Sequence, residues 1–176
     1  CDWSSDVCSS DLLITLLLGI FLLQVAGISI FHLPFGGFSI YLISLIILIS
    51  LQDDLDCVLV GFIGGLIYDL NPSISSPMGE WAFIFTLIGY FYMSFKPVLH
   101  DILDRPVLGL VVFSGTMIAV LFIYEFLSAI LGSNLGNITS VLLEIMFAAI
   151  WSILIGPIIM PALQKFNNLV ISSKER

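Results

Sequence analysis

Three carboxylates stand inside otherwise apolar runs, each accompanied by small residues at helical spacing. Asp69 follows Gly61 and Gly65 at successive four-residue steps, Glu144 falls in the series Ser140, Ala148, Ser152 and Gly156, and Glu125 shares a helical face with Ser128, Ala129 and Gly132. Residues four apart lie on one side of an α-helix, and small ones let a neighbouring helix approach closely. An acid in such a stripe faces protein, because placing one at the middle of a membrane helix costs about 2.5–3.5 kcal/mol even on lenient insertion scales. There it can accept hydrogen bonds from a neighbouring helix, a solute or a partner protein. Catalysis needs more than this, and the sequence has no Gly-rich phosphate loop, GxSxG, metal-ligand spacing or His–Asp pair beside a nucleophile. Binding is the chemistry to expect, with no cofactor implied.

The setting of these residues is a membrane. Apolar residues make up 59% of the chain and charged ones 10%, whereas soluble domains are roughly half apolar and a quarter charged. The formal charge of −8 comes from 13 acids and 5 bases with no basic cluster, which excludes a nucleic-acid footprint. Residues 1–11, CDWSSDVCSSD, differ from everything after them. They resemble a translated sequencing-adaptor scar, so they are set aside as a non-native segment, with the natural amino terminus expected to be missing. Without their three acids the balance is 10 acids against 5 bases, or −5. Cys57 is then the single thiol, four positions before Gly61 on the same stripe, where it reads as a packing residue. His32 and His100 fall in separate connections and do not suggest a shared metal site.

Apolar runs separated by turn-rich or charged connections predict an all-α, polytopic helical bundle with six spans at 12–31, 38–51, 57–70, 81–95, 107–131 and 138–160, the alternative being five spans with one short run re-entrant or buried. The integral membrane domain covers 12–164, and 165–176 form a short basic tail. Three of the spans are only 14 or 15 residues long, against the roughly 20 that cross a full hydrocarbon layer. Pro157 and Pro161 are expected to bend the exit of the last span. Trp81, Tyr90 and Tyr92 read as interfacial anchors. Lys96 and Arg105 share one connection, and Lys165, Lys174 and Arg176 share the tail. These segments and both termini are therefore expected on the cytoplasmic side of the membrane, with 32–37, 71–80 and 132–137 outside.

The run from Gly61 to Phe91 resembles the rod-shape-determining MreD family. The resemblance rests on GFxxGLxxDL (Gly61, Phe62, Gly65, Leu66, Asp69, Leu70), the Pro72 to Pro77 loop, and Gly79-x-Trp81-Ala82 leading into a helix that carries Gly89-Tyr90. It extends more weakly over 12–160, including Leu23-Gln24-Val25. Glu80 departs from the family pattern, and at the start of a helix its charge is expected to face outward. The resemblance implies a fold similar to the six-helix substrate-binding components of energy-coupling-factor vitamin transporters. It also implies a non-enzymatic scaffold of the cell-elongation complex, involved in rod shape and peptidoglycan synthesis. Such a scaffold binds the bitopic protein MreC, and indirectly MreB filaments, the SEDS glycosyltransferase and its penicillin-binding transpeptidase. Gly61, Gly65, Asp69, Gly79, Trp81, Gly89, Glu125 and Glu144 are the candidate helix-packing or partner-binding residues, with Asp69 expected to serve the partner contact. The alternative is a substrate-capture subunit of a vitamin transporter, to whose outer cavity Trp81, Glu125 and Glu144 would contribute.

The charge asymmetry generates a topological prediction. In a Cys57→Ala background lacking residues 1–11, an impermeant thiol reagent applied to intact cells should modify a cysteine at position 75 and spare those at 96 and 165. Labelling at 96 but not at 75 would overturn the orientation.

Overall fold

A computed structural model describes residues 3–30, 39–52, 54–71, 77–103, 106–131 and 137–174. Among the described residues the chain is entirely helical: α1 (Trp3–Ile30), α2 (Ile40–Leu51), α3 (Asp54–Asp69), α4 (Glu80–Leu103), α5 (Pro106–Ile130) and α6 (Ile138–Lys174). Two stretches, Leu108–Ile130 in α5 and Thr139–Lys165 in α6, are long and apolar enough to cross a membrane. Shorter apolar stretches occupy Leu13–Ala26 of α1 and Ile40–Leu51, the whole of α2.

The core forms around α2. Its sequence, IYLISLIILISL, has no charged residue, and every side chain from Tyr41 to Ile49 is buried. A helix that is apolar all round belongs inside a bundle, and α2 touches each of the other helices. Its first turn is held from two directions. The Ser39 side chain accepts from the Leu42 N–H at 3.2 Å, while the buried Gln24 of α1 accepts from Ser39 Oγ at 3.0 Å and from the Tyr41 N–H at 2.6 Å. Orphan donors at a buried helix start are thus paired, one by the helix's own cap and one by a neighbour.

Against this core α3 and α4 pack backbone to backbone. A Cβ placed on Gly65 would lie 2.5 Å from Ala82 Cα and 2.6 Å from the Trp81 carbonyl oxygen. One on Gly89 would lie 2.5 Å from the Cys57 carbonyl oxygen, and Gly61 faces the carbonyl of Phe85. The seam therefore closes at three levels, with no room for any side chain larger than hydrogen. Cys57 is buried beside it, and its Sγ donates to the Gln52 carbonyl at 3.1 Å. Tyr92 is buried as well, its hydroxyl 3.0 Å from Thr116 Oγ1 on α5. That correction to the anchor reading reflects its place on the inward face of α4, whereas Tyr90 is exposed.

Helix boundaries differ from the expected spans mainly at their far ends. α6 continues unbroken through Pro157 and Pro161 to Lys174, so the basic tail is helical as far as Lys174. Each proline removes one backbone bond, and the helix-forming run on either side carries it through. α4 likewise runs past Phe95 to Leu103, and α1 begins at Trp3 within the segment set aside. Large apolar side chains stand exposed in stripes, including Leu59, Phe62 and Leu66 on α3, Phe122 and Phe126 on α5, and Met146, Ile150 and Leu154 on α6.

The seam predicts an asymmetry between two Gly→Ala changes. Gly65→Ala must push α3 and α4 apart and should lower stability in detergent by about 1–3 kcal/mol. Gly115→Ala on α5 meets nothing within 4 Å and should be neutral or stabilising by up to about 1 kcal/mol. Equal thermal midpoints for the two variants would show that the seam is not closed as described.

Candidate binding site at one end of the bundle

The end of the bundle that holds the candidate residues is organised by Asp69. Gly79 occupies the cap position of α4, its carbonyl accepting the first helical bond from the Phe83 N–H at 2.9 Å, but it has no side chain with which to pair the remaining donors. Asp69, on the last turn of α3, supplies that acceptor from across the connection. Its Oδ2 accepts from the Gly79 N–H at 3.0 Å and the Ala82 N–H at 3.1 Å, and its Oδ1 from the Trp81 N–H at 3.2 Å. A carboxylate here also meets the positive end of the α4 dipole. Gly79 itself has φ of +98°, a left-handed conformation that glycine adopts without strain. Both Asp69 oxygens thus accept from the start of α4.

Beside this cap runs a row of aromatic rings drawn from five helices. Phe21 of α1 meets Tyr41 edge-on at 5.7 Å, Tyr41 stacks on Tyr68 at 5.4 Å, and Tyr68 meets Trp81 edge-on at 4.9 Å. Trp81 then stacks on Tyr124 of α5 at 4.6 Å. Such pairs contribute about 0.5–1.5 kcal/mol each beyond the area they bury. The Tyr41 hydroxyl donates to the Gly64 carbonyl at 2.7 Å, which ties α2 to α3. Trp81 is only 4% exposed, so it is a packing centre and not an interfacial anchor. Rings arriving from α3 and α5 enclose it.

Three acids line the α4–α5–α6 side of the row. Glu80 is buried at 6% exposure, a correction to the expectation that its charge faces outward. The Ser128 hydroxyl donates to its Oε1 at 3.1 Å, and this bond turns the side chain toward α5. Glu125 is half-buried and Glu144 exposed, and both lie within electrostatic reach of Tyr124. Glu80 and Glu144 also act on Glu125. Two buried polar atoms, Glu80 Oε2 and Trp81 Nε1, have no hydrogen-bond partner among the described residues. No group of three His, Cys, Asp or Glu among the described residues is spaced to hold a metal ion.

The candidate residues thus divide by location. Gly61, Gly65 and Gly89 line the α3–α4 seam, Asp69 and Gly79 form the cap of α4, and Trp81, Glu125 and Glu144 belong to the aromatic and acidic cluster. Gly132 and His32 lie outside the described residues, as does the side chain of His100. Sequence reasoning missed Ser39, Tyr41, Tyr68 and Tyr124 as parts of this end, and took Gln24 only as a piece of a motif. Tyrosines within apolar runs were the available signal, since a buried hydroxyl needs a partner. No family model, curated protein or solved structure matches this chain.

The cap makes a graded prediction. Asp69→Ala leaves three helix-start donors unpaired and should cost about 1–3 kcal/mol, while Asp69→Asn, which keeps one carbonyl acceptor, should cost less. Gly79→Ala should cost more than about 1 kcal/mol through backbone strain, because its Cβ meets no neighbour within 4 Å. Thermal unfolding that ranks Asn below Ala, or a silent Gly79→Ala, would contradict the cap.

Proposed function

We propose that the chain is a multi-pass subunit of the MreD kind: a non-enzymatic scaffold in the bacterial inner membrane that holds an MreC-like bitopic protein within the cell-elongation machinery. One observation carries the reading. The residues on which the MreD resemblance rests do one joint physical job. Gly61 and Gly65 close the α3–α4 seam, Asp69 caps α4, Gly79 provides the left-handed turn, and Trp81 anchors the aromatic row. A scaffold needs a surface of fixed shape, and the Asp69 cap fixes the end of α3 against the start of α4.

In this reading all six helices form the membrane domain. The exposed apolar stripes of α1, α3 and α4 face lipid alongside α5 and α6. α2 has roughly 18 Å of length at 1.5 Å per residue, short of the ~30 Å hydrocarbon layer, and a jacket of neighbouring helices compensates by burying it. Lys96 and Lys165 mark the cytoplasmic end, so the Asp69 cap and the aromatic row face outward, where the extracytoplasmic part of a bitopic partner would meet them.

A second reading, a solute-capture subunit resembling those of energy-coupling-factor transporters, draws its support from the aromatic row and the two unpaired buried atoms at the same end. The two separate in one experiment. Tagged chain extracted gently from native membranes should copurify a single-span coiled-coil protein, and depletion of the chain should turn rod-shaped cells round. Recovery without such a protein, but with a stoichiometric vitamin-sized solute, would replace the scaffold by the capture subunit.

A further inference from the structure

We propose that Glu80 is a proton-operated latch between α4 and α5: as a neutral acid it donates its proton to Ser128 and holds the start of α4 closed against α5, and as a carboxylate it lets that contact open. The inference goes beyond the scaffold reading and does not depend on it.

Glu80 is only 6% exposed, although it is the first residue of α4 and precedes the apolar span that begins at Trp81. Its hydrogen-bond contact is with Ser128 of α5, Oε1 to Oγ at 3.1 Å, while Oε2 has no partner among the described residues. A buried carboxylate needs several donors or a cation to offset the loss of water. Neither is supplied here. Helices α3, α5 and α2 pack against α4. The titratable groups they bring to its start are Asp69 and Tyr68 of α3, Tyr124 and Glu125 of α5, and Tyr41 of α2, with Glu144 of α6 acting on Tyr124 and Glu125. None of these can carry a positive charge. Lys96 is sixteen residues further along α4, roughly 24 Å at the helical rise, and Lys165 stands twenty-one residues past Glu144 on α6. His32 lies outside the described residues.

A proton on Glu80 reconciles these features. The charged form leaves both a net charge and a second oxygen uncompensated. The neutral form uses its proton in the Ser128 contact, since a 3.1 Å spacing serves donation in either direction, and leaves open only an uncharged carbonyl oxygen. Ser128 can then turn its own hydroxyl hydrogen to Tyr124, with which it also hydrogen-bonds. Burial pushes the Glu80 carboxyl above its ordinary value; the Ser128 bond opposes that, and Asp69 adds to it. The folded chain therefore binds this proton more tightly than the unfolded one. Its stabilisation is complete below the ordinary carboxylate range and is lost as pH rises through the folded value. Returning the proton to water leaves a charge beside Trp81 and Tyr124 with no counter-ion, and water entering to solvate it separates the start of α4 from α5. The proton concentration on that side of the membrane thus sets the rigidity of this end of the bundle.

The test uses the full chain in phosphatidylglycerol nanodiscs with two readouts. Between pH 8 and pH 5 the thermal midpoint of the native chain should gain about 2–4 °C more than that of Glu80→Gln, which is neutral at every pH. Infrared spectroscopy at about pH 5.5, where a carboxyl in water is largely ionised, should show a protonated-carboxyl C=O band in the native chain that Glu80→Gln lacks. Should Glu80→Gln not fold, Ser128→Ala carries the test, moving that band to higher frequency as the hydrogen bond is lost. A native chain without such a band, a band unchanged in these variants, or an equal pH response of the midpoint in the native chain and Glu80→Gln would overturn the inference.

Discussion

The fold depends on a carboxylate set where a helix cap would ordinarily be. α4 begins at a glycine that must turn left-handed and so brings no side chain to its own first turn. Asp69 completes that turn from the preceding helix, accepting the Gly79, Trp81 and Ala82 N–H groups. The consequence is geometric as much as energetic. The end of α3 and the start of α4 are fixed to each other within hydrogen-bond distance, and the axes below can then close until the glycines touch carbonyls. Remove the cap and the seam loses its registration; fill the seam and the cap cannot reach.

The aromatic row follows from that registration. With Trp81 held at the second residue of α4, its ring falls between Tyr68 and Tyr124, and the row runs on to α1 through Tyr41. On the same helix Glu80 is turned inward by Ser128. One end of the bundle thereby collects Gln24, Ser39, Asp69, Glu80 and Ser128, while the middle is the apolar α2 and its jacket. In a low-dielectric surrounding, polar groups gathered at one end and mostly paired with one another are cheaper than the same groups dispersed.

How much of this could be read from the sequence depends on the distance over which each residue acts. Gly61, Gly65 and Asp69 were legible as one face because helical period alone sets that relation. What Asp69 bonds to was not, because its partners lie across a connection whose path no periodicity dictates. Trp81 and Tyr92 read as anchors because each stands at the edge of an apolar run, and their burial comes from α3 and α5, which spacing within α4 cannot reveal. The unbroken course of α6 past Pro157 and Pro161 also escaped the reading, since proline weakens a helix locally while its flanks determine whether it ends. α2 was legible as apolar and short, and apolar residues all round it point to a buried place, but its twelve residues do not say which helices pack around it.

The central claim, that Asp69 closes the start of α4 and through it the α3–α4 seam, is tested most directly by amide hydrogen exchange at Trp81 and Ala82 in the full chain. Loss of a bond worth one to two kcal/mol changes an opening equilibrium by roughly 5- to 30-fold. The account predicts that both amides are protected in the native chain, that Asp69→Ala speeds their exchange by about that factor, and that the amides of Leu45 to Ile49 in α2 stay slow. Exchange at Trp81 and Ala82 that is already fast in the native chain, or unchanged by the substitution, would contradict it.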